Sequence, residues 1–316
     1  MNWADLRREL IGGYNATGLP RWLTIPAFPT AVSDFCAKSA DPGATPNDLG
    51  RIIEVDNGLT CELLRQVNSS SIALRHKAST AHRAISILGF HRSKMILLGA
   101  AAQLLLKNTA LKGFDHERFT ITNLQRGFFA RIVADTLGAD EDLAFAGGMM
   151  CDCILPSLAS NRPEVYDAYS QATSGQQHPL TQHEKTAFGF GHDYAAAQIC
   201  LGYEFPDDLL CCILLHHTPL LELIRLGLNG SAVVAVRLAA LLPDPFHQEP
   251  NGLQILAHIA AKFPGICLPT IAAKVDALTA EMCPQVNPAM RLSQLFSSDG
   301  APGAAEPAVA VAASTE

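Results

Sequence analysis

Two places in the chain hold residue types able to bind a cation or move a proton. The first is GGMMCDCILPSL, Gly147 to Leu158, where Asp152 sits between Cys151 and Cys153. The second is a set of histidines: His192, and the doublet His216-His217 that closes PDDLLCCILLHH. Neutral imidazole is a good ligand for transition metals. An adjacent His pair at one helix end, a third His at another helix start and the Asp152 carboxylate could converge inside a bundle on one ion. The plainer reading makes them hydrogen-bonded polar residues under a loop, capping carbonyls at helix ends. Cysteines two apart on a helix point about 200° from each other, so Cys151 and Cys153 cannot share a tetrahedral zinc while the helix continues. The adjacent pair Cys211-Cys212 is little better, and small buried hydrophobes describe these thiols well. Other motifs are missing: there is no GxxxxGK[ST] and no GxSxG. Gly189-Phe190-Gly191 precedes a helix but lacks the strand and third glycine of a dinucleotide site, so it reads as a turn.

The elements that must position these residues are helices. Thr45-Pro46-Asn47-Asp48 is an N-cap with proline at the first helical position and an acid at the third. LGRIIEV follows, Asn57-Gly58 breaks the chain, and LTCELLRQVN makes another amphipathic helix. Ser79-Thr80 caps AHRAISIL, which Gly89 ends. SKMILLGAAAQLLLK is apolar on almost every side and reads as a central core helix. A polar stretch, Asn108 to Glu117, separates this first bundle from a second that begins near Thr120 with LQRGFFARIVADTLG and stops at Gly138. Asp140-Glu141-Asp142 starts the helix LAFAGGMMCDCILPSL, with acids at the positive end of its dipole. Pro163-Glu164 opens a short helix, and Thr181-Gln182-His183-Glu184 reads as a capping box for the next. HDYAAAQICLGYEF and PDDLLCCILLHH follow, then LELIRLGL, AVVAVRLAALL, GLQILAHIAAKF and PTIAAKVDALTAEM. Ser297 to Glu316 is rich in Ala, Pro, Ser and Gly and reads as a disordered tail.

Of the 316 residues 48% are hydrophobic and 17% charged, enough for a substantial core. The formal charge of −7 argues against a nucleic-acid-binding surface. The most apolar run, Met95 to Leu106, is too short for a bilayer, which needs roughly 20 residues. The N-terminal residues lack the apolar core of a signal peptide. Nine irregularly spaced cysteines without a CxxC pair suit reduced thiols of a cytoplasmic protein.

The order of these pieces resembles the HDOD family, a branch of the His–Asp metal hydrolase superfamily found in bacterial signalling proteins. The likeness runs over roughly residues 20 to 220: the proline-bounded opening IPAFPTAVSDFCAKS, a helix ending at Asn68-Ser69, AISILGFHRSKMILL, then LAFAGGMMCDCILPSL in the place of the helix bearing the superfamily's His-Asp doublet. EKTAFGFGHDYAAAQICLGYEFPDDLLCCILLHHTP resembles the stretch that follows, with its closing His-His. The resemblance implies an all-α fold of two packed helical bundles with additional C-terminal helices. It divides the chain into an N-terminal segment (1–19), a first bundle (20–110), a second bundle (115–220), accessory helices (221–296) and the tail (297–316).

In the metal hydrolases a His early in the second bundle, the His-Asp doublet and a later Asp bind the metal. By that resemblance Thr122 stands where the first His would be and Cys151 where the doublet His would be, leaving Asp152 as the surviving position. The expectation is therefore a regulatory module that binds a signalling protein or a small signal, with no cofactor, metal, nucleic acid or membrane and no catalysis. The alternative is a metal-dependent phosphohydrolase, like a cyclic-dinucleotide phosphodiesterase, holding its ion with Asp152, His192, His216 and His217. A third reading places the specific output in the helices from Leu220 to Phe296. The expected partner surface lies between the bundles, around Asn68-Ser69 and the connection Asn108 to Glu117.

Overall fold

The computed structural model describes residues 2–12, 18–23, 27–69, 72, 74–107, 115–171, 178–284 and 287–296. Among them the chain is helical throughout, with no strand. The tail expected at 297–316 and residues 108–114 of the polar connection lie outside the described residues.

Local chemistry sets most helix ends. Helix α1 (Trp3–Gly12) is followed by five helices of the first bundle: α2 (Thr30–Ser39), α3 (Pro46–Ile53), α4 (Asn57–Val67), α5 (Ala81–Leu88) and α6 (Phe90–Lys107). The capping box at Thr45 forms as expected, with Asp48 N donating to the Thr45 hydroxyl and the Asp48 carboxylate accepting from Thr45 N. Asn57-Gly58 is no break: the Asp56 side chain caps Leu59 N, so both residues form the first turn of α4. Gly89 closes α5 at φ 79°, a conformation that favours glycine. Phe35, Leu49, Ile53, Leu59, Leu63, Ile85 and Leu97 are fully buried and form the bundle's core.

The second bundle comprises α7 (His116–Leu137), α8 (Glu141–Met150), α9 (Leu155–Asn161), α10 (Pro163–Ser170), α11 (Leu180–Phe188), α12 (His192–Gly202) and α13 (Asp207–Leu215). Asp115 caps α7 through Arg118 N, so that helix begins earlier than Thr120. The helix expected across LAFAGGMMCDCILPSL is two helices. Residues 151–154 form a turn, with Cys153 N bonded to Met150 O and Leu155 N to Asp152 O. Pro156 has no N–H with which to continue the Asp152 turn as an α-helix, and it sits in the first turn of α9. Residues Glu141–Asn161 together are long and apolar enough to cross a membrane by length and composition, but 94% of that window is buried inside the protein.

Four further helices follow: α14 (Leu220–Arg225), α15 (Ala232–Ala240), α16 (Gly252–Lys262) and α17 (Leu268–Met282). Helix α15 packs against α7, α8 and α13, and α17 packs against α7, so these helices cover the second bundle. Helix α8 is the centre of the molecule, touching α6 of the first bundle as well as α7, α13 and α15. Its glycines permit this. A Cβ on Gly148 would lie 2.8 Å from Arg126 O, and one on Gly147 would lie 2.8 Å from Val236 Cγ2.

Gly148→Ala is therefore expected to cost about 1–3 kcal/mol, read from urea unfolding followed by circular dichroism, because a backbone carbonyl cannot move aside as a side chain can. A second outcome concerns pH. His91 on α6 lies 2.9 Å from Asp140, the N-cap of α8. The hydrogen bond to Asp140 raises the His91 pKa, with Asp142 and Asp208 adding to it, and the same bond lowers that of Asp140. The pair stabilises the fold fully below His91's ordinary value of 6.5 and loses this as pH rises through the raised value. Its acidic limit is set by Asp140, whose contribution fades as pH falls through the depressed carboxylate value. Both groups are well exposed, so the effect is a few tenths of a kcal/mol. Wild type should exceed His91→Ala in urea midpoint at pH 5.5 and match it at pH 9.

Candidate functional site

The break between α8 and α9 places Asp152 in the middle of the second bundle, with no solvent exposure. His192 opens α12, directly after the Gly189-Phe190-Gly191 turn, and His216 and His217 end α13. The four side chains meet: their ligand atoms all lie within 4.8 Å of one another. His192 Nε2 is 3.0 Å from His217 Nε2 and 3.3 Å from His216 Nε2. Asp152 Oδ1 is 3.3 Å from His216 Nε2 and 3.5 Å from His192 Nε2.

The outer nitrogen of each imidazole has an acceptor. His192 Nδ1 lies 2.7 Å from Glu184 Oε2, His216 Nδ1 2.6 Å from Ile213 O, and His217 Nδ1 2.9 Å from Glu249 Oε1. A carboxylate or a carbonyl can only accept, so each Nδ1 carries a proton. Each Nε2 of a neutral ring is then a lone pair, and the three face one another and Asp152 Oδ1. Asp152 Oδ1 is buried and without a hydrogen-bond donor. Such a convergence of acceptors requires positive charge at its centre, supplied either by a divalent ion or by an extra proton. Separations of 3.0–3.5 Å are those of neighbouring ligands that share one ion at about 2.0 Å. Three imidazoles and a carboxylate, each imidazole oriented by an outer acceptor, fit a transition-metal ion.

Proton affinities within the set are pulled apart. Burial alone would push His192 down, but Glu184 and Asp152 hold its pKa well above the ordinary histidine value. For His217, burial together with His216 and His192 holds the pKa well below that value. Burial would raise Asp152, but the Arg126 guanidinium, with the facing imidazoles, keeps it well below the usual carboxylate range.

Arg126, on α7, donates to Asp152 Oδ2 through Nη1. Its Nη2 donates to Leu242 O at 2.8 Å and Asp244 Oδ2 at 3.1 Å. The Thr122 hydroxyl donates to Arg118 O within its own helix, and the side chain that reaches Asp152 from α7 is Arg126, one turn later. Cys151 is no ligand of the cluster: it is buried, donates weakly to Gly148 O, and burial followed by Asp152 pushes its thiol well up, so it stays protonated. Glu184 is no capping acid either. Helix α11 starts at Leu180 with Pro179 before it, and the fully buried Glu184 accepts from His192 N, His192 Nδ1 and the Tyr166 hydroxyl.

Gln248, Glu249 and Asp244 come from the segment after α15 and went unread in the sequence, as did Arg126. No local signal marked Arg126, because the run 121–130, buried at every position, holds Thr122, Asn123 and Gln125 as well and reads as partly polar. Near Asn68 and Ser69 a groove of about 460 Å³ runs between α4, α7 and α17, lined in part by Arg65, Phe128, Arg131 and Met282.

Fold and cluster together define an all-α, two-bundle protein with a His–Asp set in the second bundle. The HDOD domain matches residues 25–219, more than half of the 316, and the chain belongs to the HDOD family. Similar solved structures support the fold. A protein from Shewanella amazonensis SB2B, provisionally named a phosphohydrolase, is 17% identical with a TM-score of 0.61, covering 86% of this chain and 95% of that one. An HDOD domain protein of unknown function from Geobacter sulfurreducens is 17% identical with a TM-score of 0.57, covering 93% of each chain. A provisionally named signal transduction protein from Marinobacter aquaeolei VT8 is 16% identical with a TM-score of 0.52, covering 89% of this chain and 65% of that one. No curated protein matches the sequence.

Arg126→Met, similar in length but unable to donate, is expected to destabilise the fold by about 3–5 kcal/mol in urea, since it strands two buried carboxylates. Arg126→Lys should recover only part of that loss, because one ammonium cannot span Asp152, Asp244 and a carbonyl as a planar fork does.

Proposed function

We propose that this protein is a cytoplasmic regulatory module of bacterial signal transduction that acts by binding a signalling protein and turns over no substrate. In this reading the His–Asp set holds one divalent transition-metal ion as part of the fold, with Asp152, His192, His216 and His217 as ligands. An ion there would act as a Lewis acid if a substrate oxygen could reach it. Glu184, the Ile213 carbonyl and Glu249 orient the imidazoles, and Arg237 holds Glu249 from behind at 2.7 Å.

The commitment of Asp152 supports the absence of turnover. A two-ion hydrolytic centre shares a carboxylate between two cations. Here a guanidinium takes the second place, and Gln248 Nε2 donates to the same oxygen at 2.7 Å. A catalytic ion also needs an open coordination position, and a structural one does not. Asp152, His192 and His216 are fully buried, and the side chain of His217 is 5% exposed. The convergence of four donors favours the second reading, a phosphohydrolase. The closure of the site and the guanidinium weigh against it.

Metal analysis and a hydrolysis assay on the purified full chain separate the two. About one transition ion per chain is expected, with no release of nitrophenol from bis(p-nitrophenyl) phosphate and no cleavage of a cyclic dinucleotide above buffer rates. Glu184→Gln should weaken ion affinity by about 10–100-fold. Turnover of a cyclic dinucleotide that disappears in Asp152→Ala, with the variant still folded, would overturn the proposal.

A further inference from the structure

Gln248 is fully buried and its side chain enters the His–Asp set from a segment beyond the HDOD match. Its Nε2 donates to Asp152 Oδ2, which fixes the orientation of the amide. Oε1 therefore faces the imidazoles and lies 3.1 Å from His217 Nε2. The His217 proton is on Nδ1, toward Glu249, so the Gln248 carbonyl and the imidazole lone pair are two acceptors set face to face. That arrangement is unfavourable unless a cation lies between them.

We infer that Gln248 Oε1 is an internal ligand which fills the coordination position where a divalent ion in this site would otherwise meet water or an oxyanion, making residues 243–251 an intrasteric plug. The inference rests on the ion-binding reading above.

The plug is held by its own backbone. Asp244 accepts from Phe246 N at 2.8 Å through Oδ1 and from Gln248 N at 3.2 Å through Oδ2, while His247 N donates to Asp244 O. Gln248 O accepts from Leu180 N at 2.9 Å, and His247 O from the Tyr169 hydroxyl at 2.8 Å. His247 sits at φ 51°, a left-handed conformation that is strained for a non-glycine residue. Strain of this kind persists only where the surroundings over-determine it. Had Gln248 served merely to satisfy Asp152, its carbonyl would be expected to face a donor. Instead it faces the His217 Nε2 lone pair.

The test loads the full chain with cobalt(II) and follows its visible absorption during titration with azide. The wild-type spectrum should not respond. Gln248→Ala should give a saturable shift, with azide binding at least about tenfold tighter than any wild-type response. If Gln248→Ala does not fold by circular dichroism, Gln248→Asn, which keeps an amide but draws the oxygen back by one methylene, is expected to give the shift instead. An equal azide response in the wild type overturns the plug, and so does a folded, cobalt-loaded variant that ignores azide. A wild-type chain that takes up no stoichiometric cobalt overturns the ion-binding reading and this inference together.

Discussion

The guanidinium of Arg126 is surrounded by a carboxylate from the turn between α8 and α9, a second carboxylate from the segment after α15, and main-chain carbonyls at the end of α15. Isolated burial of any of these groups would be costly. Together they neutralise one another, and the arrangement ties three distant parts of the chain to a single point. Asp152 keeps its charge because Arg126 is there, and the turn carrying Gln248 keeps its shape because Asp244 answers the same guanidinium. The orientation of the His–Asp set follows from that interaction. The two-bundle scaffold is therefore arranged around an internal cation that the protein supplies itself.

The helices were largely legible from local chemistry. The Thr45 cap, the Gly89 and Gly138 stops and the αL turn at Gly189 depend on residues within a few positions of one another. The break at 151–154 was not, since an apolar run that continues through Cys151 and Ile154 gives the period of one helix, and Pro156 alone marks the interruption. Asp152, His192, His216 and His217 could be singled out because their types are rare in apolar helices. Gln248, Glu249 and Asp244 could not, because polar residues after a helix look like an ordinary loop until the fold carries them back to the core. Arg126 could not be singled out either, because its partners Asp152 and Asp244 are brought to it only by the fold.

Within the cluster, environment sorts chemically identical side chains. His192 and His217 differ in what stands behind them. One imidazole has the buried Glu184, which also accepts from the Tyr166 hydroxyl and from His192 N. The other has Glu249, already paired with Arg237. Glu184 and Asp152 hold the proton affinity of His192 up, whereas burial, His216 and His192 hold that of His217 down.

Helix α1 packs on α13 of the second bundle, with Arg7 paired to Asp207. At the other end, the Met282 carbonyl at the close of α17 accepts from Arg65 of the first bundle. The two sutures lie near the ends of the described chain, outside the core. A mechanical load applied at the two described ends would have to open these sutures, and the Met290 carbonyl held by Gln125 Nε2, before it reached α8. Tension would then peel the periphery stepwise and leave the central helices as a separate, later rupture.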